Sequence, residues 1–241
     1  MNTTSELTIV IPAKNEAKLI PNLLRSLATQ DYSKMSSTKV LVADANSTDG
    51  TPDIVLGFRD RLNVSVIAGG MPAVGRNRGA ALADSEYVLF LDADIEMAHA
   101  SVIRRAVELA QQKQLHCVTT NIVCRDGSWF DKAMYGGNDF FQYLSRLHKP
   151  FATGMFMLFD RGKFNELGGF DESVHYAEDY HLSKQISLLR FGIVKGHILT
   201  SNRRFRAMGH KKIARMFLNT ALHTFDRKYF LRDHGYWNYE V

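Results

Sequence analysis

Cysteine is scarce in this chain: Cys117 and Cys124 are the only two in 241 residues. Two thiols build no disulfide framework, and neither sits in a CxxC pair or beside histidines at metal-ligand spacing. Both are expected to be ordinary core thiols in a reduced compartment. Long apolar runs are missing as well. No stretch approaches the roughly 18 residues that a membrane-spanning helix needs. Met1 to Glu6 are polar and lack the apolar region of a signal peptide. A cytoplasmic protein is therefore expected. No GxGxxG follows the first strand, and no GxxxxGK[ST] occurs anywhere. The dinucleotide and P-loop classes lose their support. Repeats, low-complexity tracts and long linkers are absent. Acid is almost missing from one region: from Arg203 to Arg232, Asp226 alone stands against Arg203, Arg204, Arg206, Lys211, Lys212, Arg215, Arg227, Lys228 and Arg232. A basic tail of this kind fits an anionic partner: nucleotide phosphates, an acidic membrane surface or nucleic acid.

What is present is a core. With 45% hydrophobic and 23% charged residues, the chain can form one large α/β domain without staples. Leu7–Ile11, Lys39–Ala43, Asn63–Ile67 and Tyr87–Leu91 read as strands. Helical spacing over Ala17–Ala28, a proline-led start at Thr51-Pro52 and the segment Val74–Ala83 place helices between them. Strand, loop and helix alternate, which predicts a doubly wound, mostly parallel sheet flanked by helices. Further along, Ser101–Lys113 is an expected helix and Cys117–Val123 a strand. Trp129–Leu147 is aromatic and irregular or helical. Met155–Asp160 is a strand, followed by a short helix at Arg161–Leu167. A helix from Glu178 through Leu189 ends at Gly192, Val194–Leu199 is the last strand, and Lys211–Phe230 is a final helix.

The apolar run Val88–Leu91 has no polar alternation, as a strand buried on both faces requires. It ends in Asp92-Ala93-Asp94. In open α/β sheets ligands bind beyond the carboxyl ends of the strands. Two acids held there repel each other unless a cation or hydrogen-bond donors compensate. Mg²⁺ with bound phosphates suits the position, although a short acidic pair is also a common solvated turn. The polar loops around Asn15 and Asp44 would share the same edge. Asp49 reads as a turn or helix-cap residue, since Asp bonds its own backbone. Arg78 reads as part of a solvated helix face.

In order, Ile11-Pro12-Ala13-Lys14-Asn15-Glu16, Asp44-Ala45-Asn46-Ser47-Thr48-Asp49-Gly50-Thr51, Gly75-Arg76-Asn77-Arg78-Gly79, Leu91-Asp92-Ala93-Asp94, Gly168-Gly169-Phe170-Asp171-Glu172 and Glu178-Asp179 together resemble a family-2 glycosyltransferase of the GT-A fold. Each segment is a weak signal alone. Their order and spacing, over roughly residues 7 to 200, carry the likeness. The resemblance implies a Rossmann-like GT-A domain that moves a sugar from a nucleoside diphosphate donor, with uracil as the typical base. Residues 1–100 would form the nucleotide-binding half, 101–200 the acceptor-binding half, and 201–241 a basic C-terminal loop and helical appendage. Pro12, Ala13, Asn15, Glu16, Asp44, Arg76, Asp92 and Ala93 would hold the donor. Asp94, with Asp92, would bind Mg²⁺ or Mn²⁺, and Asp179 would be the catalytic base beside Glu178. Gly154 and Met155 match the region where donor sugar and acceptor meet.

The chemistry agrees with that reading. A leaving diphosphate gains negative charge, which a metal and cationic side chains stabilise. An acceptor hydroxyl needs a carboxylate to take its proton. Base, metal and orientation suffice for an inverting single displacement. The acceptor would be a glycan, a lipid-linked group or a small molecule, and no nucleic acid is expected. The resemblance also implies a histidine from the C-terminal loop at the metal: His210 is the candidate, while His197 falls inside a strand. Arg203 and Arg204 are candidates to clamp the diphosphate. The Gln-x-x-Arg-Trp motif and membrane helices of the family's processive synthases are absent, which points to single transfers. The final helix, with Phe217, Phe225, Tyr229, Phe230 and Trp237, has three possible settings: an anionic membrane in peripheral contact, the core, or a second subunit. Two alternatives stand beside the main reading. One is a nucleotidylyltransferase, against which the glycine-poor loop after the first strand argues. The other is a non-catalytic nucleotide or nucleic-acid binding module.

Overall fold

A computed structural model describes residues 5–223 and 226–234. The strands are β1 (Leu7–Ala13), β2 (Lys39–Asp44), β3 (Val64–Ala68), β4 (Tyr87–Leu91), β5 (Ile95–Met97), β6 (Cys117–Cys124), β7 (Phe156–Asp160) and β8 (Phe191–Thr200). The helices are α1 (Ile20–Ala28), α2 (Thr51–Leu56), α3 (Pro72–Ala81), α4 (Val102–Lys113), α5 (Trp129–Ser145), α6 (Arg161–Glu166), α7 (Glu178–Ser183), α8 (Arg203–Met208), α9 (His210–Leu222) and α10 (Arg227–Phe230). One sheet carries all eight strands in the order β3-β2-β1-β4-β7-β6-β8-β5. Helices cover both faces. On one side Leu23, Leu24 and Leu27 of α1 join Ile103, Ala106 and Val107 of α4 over the sheet. On the other, α3 lies so close to β1 that a Cβ on Gly79 would run into Val10.

The parallel β3-β2-β1-β4 half is as expected. Chain order reverses between β1 and β4, so a crevice opens at their carboxyl ends. The other half departs from a doubly wound sheet. β7 runs antiparallel to both β4 and β6, and β5 runs antiparallel to β8. This reversal places functional groups. Phe156, the first residue of β7, pairs with Leu91, the last of β4, so Gly154 arrives beside Asp92. Thr200 at the end of β8 pairs with Ile95, which brings Arg203 back toward Asp94.

Three expected elements change. The helix beginning at Glu178 stops at Ser183 rather than Leu189, because the chain must turn and enter β8 at Phe191, where it pairs with Cys117. Gly192 therefore lies inside a strand, where a Cβ would come within 2.5 Å of Leu115. The final helix, expected over Lys211–Phe230, is broken: α9 stops at Leu222 and α10 begins at Arg227, while Gly209, at φ 78°, separates α9 from the preceding α8. Phe230 of α10 is fully buried with Val174 and Tyr176, so this part of the tail packs on the core. Phe225 and Trp237 lie outside the described residues. Cys117 and Cys124 are buried free thiols, as expected. No helix among the described residues is long and apolar enough to cross a membrane.

Candidate active site

The loop after β1 and the loop after β2 are knitted together by their polar side chains. Ser47 Oγ accepts the Asn15 N–H at 2.8 Å, and Asn15 Oδ1 accepts the Thr48 N–H at 2.9 Å. Asp49 accepts the Ala17 N–H at 2.9 Å and the Thr51 hydroxyl at 2.6 Å, while Thr51 Oγ1 takes the Glu16 N–H. Asp49 is thus a loop clip, as its turn chemistry implied. Asn15 and Asn46 both adopt positive φ, at 54° and 58°. Asparagine tolerates that left-handed region better than most residues. Pro12 and Ala13 end β1 against Ala43 and Asp44 of β2. Asp44 keeps one oxygen on the Ser47 N–H at 3.0 Å. Its other oxygen, Oδ1, is buried with no partner. Buried acceptors are normally satisfied, so this edge carries an unfilled hydrogen-bond acceptor.

Arg76 is the hub. Only 3% exposed, it donates from Nη2 to Asp92 at 2.6 Å and from Nη1 to Glu178 at 2.7 Å. Its guanidinium also lies 5.3 Å from the centre of the Phe170 ring. Room for it comes from Gly154, where an added Cβ would sit 2.5 Å from Nη2. Asn77, the next residue, clamps the glycine motif: it accepts the Phe170 N–H at 2.9 Å and donates to the Phe170 carbonyl and to Glu172. The Gly168–Glu172 segment is thereby tied to α3, and its Phe170 ring lies against Arg76. Arg78, expected as solvated, donates to the Gly69 carbonyl and holds the turn after β3.

Asp179 is presented by a costly backbone. Ala177, just before α7, sits at φ 60°. Left-handed geometry costs a residue with a Cβ about 1 kcal/mol or more. Gly154 N–H donates to Asp179 Oδ2 at 2.7 Å. Burial, reinforced by the neighbouring Glu178 charge, pushes the Asp179 carboxyl up to about 6, against the pull of Gly154 N–H and Arg76. A carboxylate tuned toward neutrality at a sheet edge is suited to accept a proton.

Asp94 faces Arg203, whose Nη2 lies 3.1 Å away. The same guanidinium forks onto Glu16 at 2.7 and 2.9 Å. Burial and the Asp92 charge raise the Asp94 carboxyl. Burial likewise pushes Glu16 up to about 7, with Arg203 pulling the other way. Glu16 and Asp94 are thus two crowded acids held by one arginine. Among the described residues, no three acids, histidines or cysteines form a complete metal cage. Mg²⁺ bound with substrate phosphates needs only one or two carboxylates from protein; Asp92 and Asp94, on either side of the buried Ala93, are the carboxylates that would serve such an ion. His210, expected at the metal, is held elsewhere. Its Nε2 lies 2.5 Å from Asp131 Oδ1, and its ring stacks on Phe205 at 5.3 Å. Asp131 is committed to the start of α5, where it accepts the Ser128 N–H. Sequence reasoning placed Arg203 near phosphate but missed its ion pairs. Only the β5–β8 pairing brings it to Asp94. Asn77 and Glu172 were legible as parts of motifs, not as a clamp.

The Glycosyl transferase family 2 model matches residues 8–168. The chain belongs to that family. Its model match covers the β1, β2 and β4 loops, while Asp179 and Arg203 lie beyond it. The relatives include the poly(ribitol-phosphate) beta-N-acetylglucosaminyltransferase TarS of Staphylococcus aureus, 40% identical over 91 residues, which are 36% of this chain and 16% of TarS. A validoxylamine A glucosyltransferase of Streptomyces hygroscopicus is 37% identical over 93 residues, 37% of this chain and 22% of the relative. The chain thus spans a minor part of either protein's length. In structure it is similar to S. aureus TarS 1-349 in complex with UDP, at TM-score 0.66 and 21% identity over 81% of this chain and 60% of the other. It is equally similar to the mannosyltransferase PcManGT of Pyrobaculum calidifontis in complex with GDP-Man and Mn²⁺, at TM-score 0.66 and 23% identity over 90% and 65%. These family members share the GT-A fold.

Proposed function

We propose that this family-2 protein transfers a glycosyl group from a nucleoside diphosphate sugar to an acceptor hydroxyl, with inversion. One observation carries the reading. The orphan oxygen of Asp44, the carboxylates of Asp92 and Asp94 and the raised carboxylate of Asp179 converge on one sheet edge around Arg76. Asp44 Oδ1 accepts an N–H of the base, and uracil supplies one, so a UDP-sugar is the donor favoured. Pro12, Ala13, Asn15 and Glu16 wall the nucleoside. Asp94, backed by Asp92, holds Mg²⁺ or Mn²⁺, which offsets the charge of the leaving diphosphate.

Asp179 takes the proton of the acceptor hydroxyl as its oxygen attacks the anomeric carbon. The bond from that carbon to the phosphate oxygen breaks, and the diphosphate leaves with the electron pair. Arg76 bridges Asp92 and Glu178, and Gly154 N–H aims Asp179. Arg203, paired with Glu16 and Asp94, is the cation that would meet the diphosphate.

Thermal unfolding with a panel of nucleoside diphosphate sugars and Mn²⁺ tests the donor site. A ligand at a hundred times its Kd adds about 2.7 kcal/mol, or about 5–10 °C in Tm for a chain of this size. Asp94→Asn should lose the metal-dependent part and keep the apo Tm. No shift with any such sugar at millimolar concentration, or a retained anomeric configuration in the product, would overturn the proposal.

A further inference from the structure

Helix α5 is amphipathic the wrong way round for a helix packed on a globular core. Its inward side is polar. Asp131, Asn138 and Gln142 are buried, and Asp139 faces in to accept the Ile122 N–H at 3.1 Å. Gln142 reaches Thr119 and the Thr120 carbonyl of β6. Its outward side is aromatic and aliphatic. Trp129 is 78% exposed, Phe140 63%, Phe141 62% and Leu147, just past the helix, 77%. Tyr143 and Leu144 are exposed with them. The N-terminal ends of α5 and α9 meet where His210 contacts Phe130 and Asp131. On α9, Ile213 turns inward, while Phe217, Leu218 and Leu222 are exposed.

The exposed charges on these two helices have one sign. Both acids of α5 point inward, and α9 contains no acid. Lys132, Arg146, Lys211 and Arg215 are exposed, and none of the four is ion-paired among the described residues. Large exposed apolar patches mark interaction sites. Aromatic residues interleaved with cations, on helices too short to span a bilayer, suit a surface apolar beneath and anionic at its boundary. We infer that the outer faces of α5 and α9 form a membrane-contact surface, and that its partner is an anionic phospholipid bilayer. The aromatic and leucine side chains enter the acyl boundary, and the lysines and arginines meet the headgroup phosphates. The inward polar side of α5 then has a reason. It anchors the helix to β6 by hydrogen bonds and, with Tyr135 packed on the core, leaves Trp129, Phe140, Phe141 and Leu144 for the lipid.

The test is co-sedimentation of the full chain with vesicles of phosphatidylcholine, with and without phosphatidylglycerol. Binding is expected only with phosphatidylglycerol, and it should weaken as salt rises. Each basic residue near an anionic surface adds about fivefold to binding. Lys132→Glu/Lys211→Glu/Arg215→Glu should therefore lower it about a hundredfold or more. Phe140→Ser/Phe141→Ser/Leu144→Ser should lower it by at least about tenfold, because buried apolar area drives insertion. Both triple variants alter exposed side chains outside the crevice, so their Tm should match the parent within a few degrees. Three results would overturn the inference. One is no binding to either vesicle. Another is parent-level binding by both variants. The third is a concentration-dependent dimer, abolished by the apolar variant, in a protein that ignores vesicles. That last result would assign the face to a second copy of the chain.

Discussion

Replacing Arg76 by methionine keeps most of the side-chain volume and removes the charge that joins Asp92 to Glu178. The guanidinium is 3% exposed, and its two carboxylate partners are 20% and 9% exposed. Breaking a buried pair from one side costs about 3–5 kcal/mol, because the remaining charge stays desolvated. Glu178 is the more enclosed partner and should account for most of the loss, since Asp92 can recover some hydration. Spread over a chain of this length, about 3–5 kcal/mol lowers Tm by about 6–20 °C. Adding Glu178→Gln removes the more deeply buried of the two stranded charges. The double variant should therefore regain at least about 1.5 kcal/mol relative to the sum of the single changes. Arg76→Lys should rescue only in part, because an ammonium cannot fork to two carboxylates held on opposite sides. Urea and thermal unfolding of the parent, the singles and the double measure each value. A cost below about 1 kcal/mol for Arg76→Met, or a coupling below about 0.5 kcal/mol, would refute the idea that this arginine compensates the buried acids.

Two further predictions concern the proton acceptor. With the Asp179 carboxyl pushed up to about 6, kcat/KM should fall tenfold per pH unit below about 6, and Asp179→Asn should remove about 10²–10⁴ of the rate at all pH values. An acid limb centred near the ordinary carboxylate range of about 4 would contradict the burial argument. The same shift has an opposite sign in stability. The folded carboxyl binds its proton more tightly than the unfolded one, so stability declines as pH rises from about 4 to about 6 and is level above. Asp179→Asn should therefore raise Tm at pH 7, and a lower Tm would contradict this. Gly154→Ala places a methyl 2.5 Å from Arg76 Nη2. It should cost about 1–3 kcal/mol by overpacking and depress turnover by displacing the N–H on Asp179. Unchanged Tm and turnover would mean that the loop has slack.

Local chemistry was readable where neighbours in sequence decide the outcome. Tyr87–Leu91 is a strand with the expected ends because five apolar residues have no other stable place than a sheet covered on both faces. The loops of Asn15, Asp44 and Asp92 share an edge because β1, β2 and β4 are parallel, which alternation with helices implies. Asp49 as a clip followed from the habit of Asp to bond nearby backbone. The misreadings arose where distant partners decide. Nothing within Glu178–Leu189 says that the helix must end at Ser183; the demand comes from β8 pairing with β6. Nor does anything within residues 201–215 say that His210 finds Asp131 rather than Asp94.

The amino-acid sequence alone determined the strand-and-helix alternation, the acids at the strand ends and the family to which they belong. These are properties of short segments, set by side-chain period and turn chemistry. Tertiary structure alone decided which charges meet. The antiparallel entry of β7 delivers Gly154 to Arg76, and the β5–β8 pairing delivers Arg203 to Asp94. It also turned the polar side of α5 inward and its aromatic side out. Coulombic partners and burial depend on distance in space, and the fold sets that distance between residues as far apart as Glu16 and Arg203.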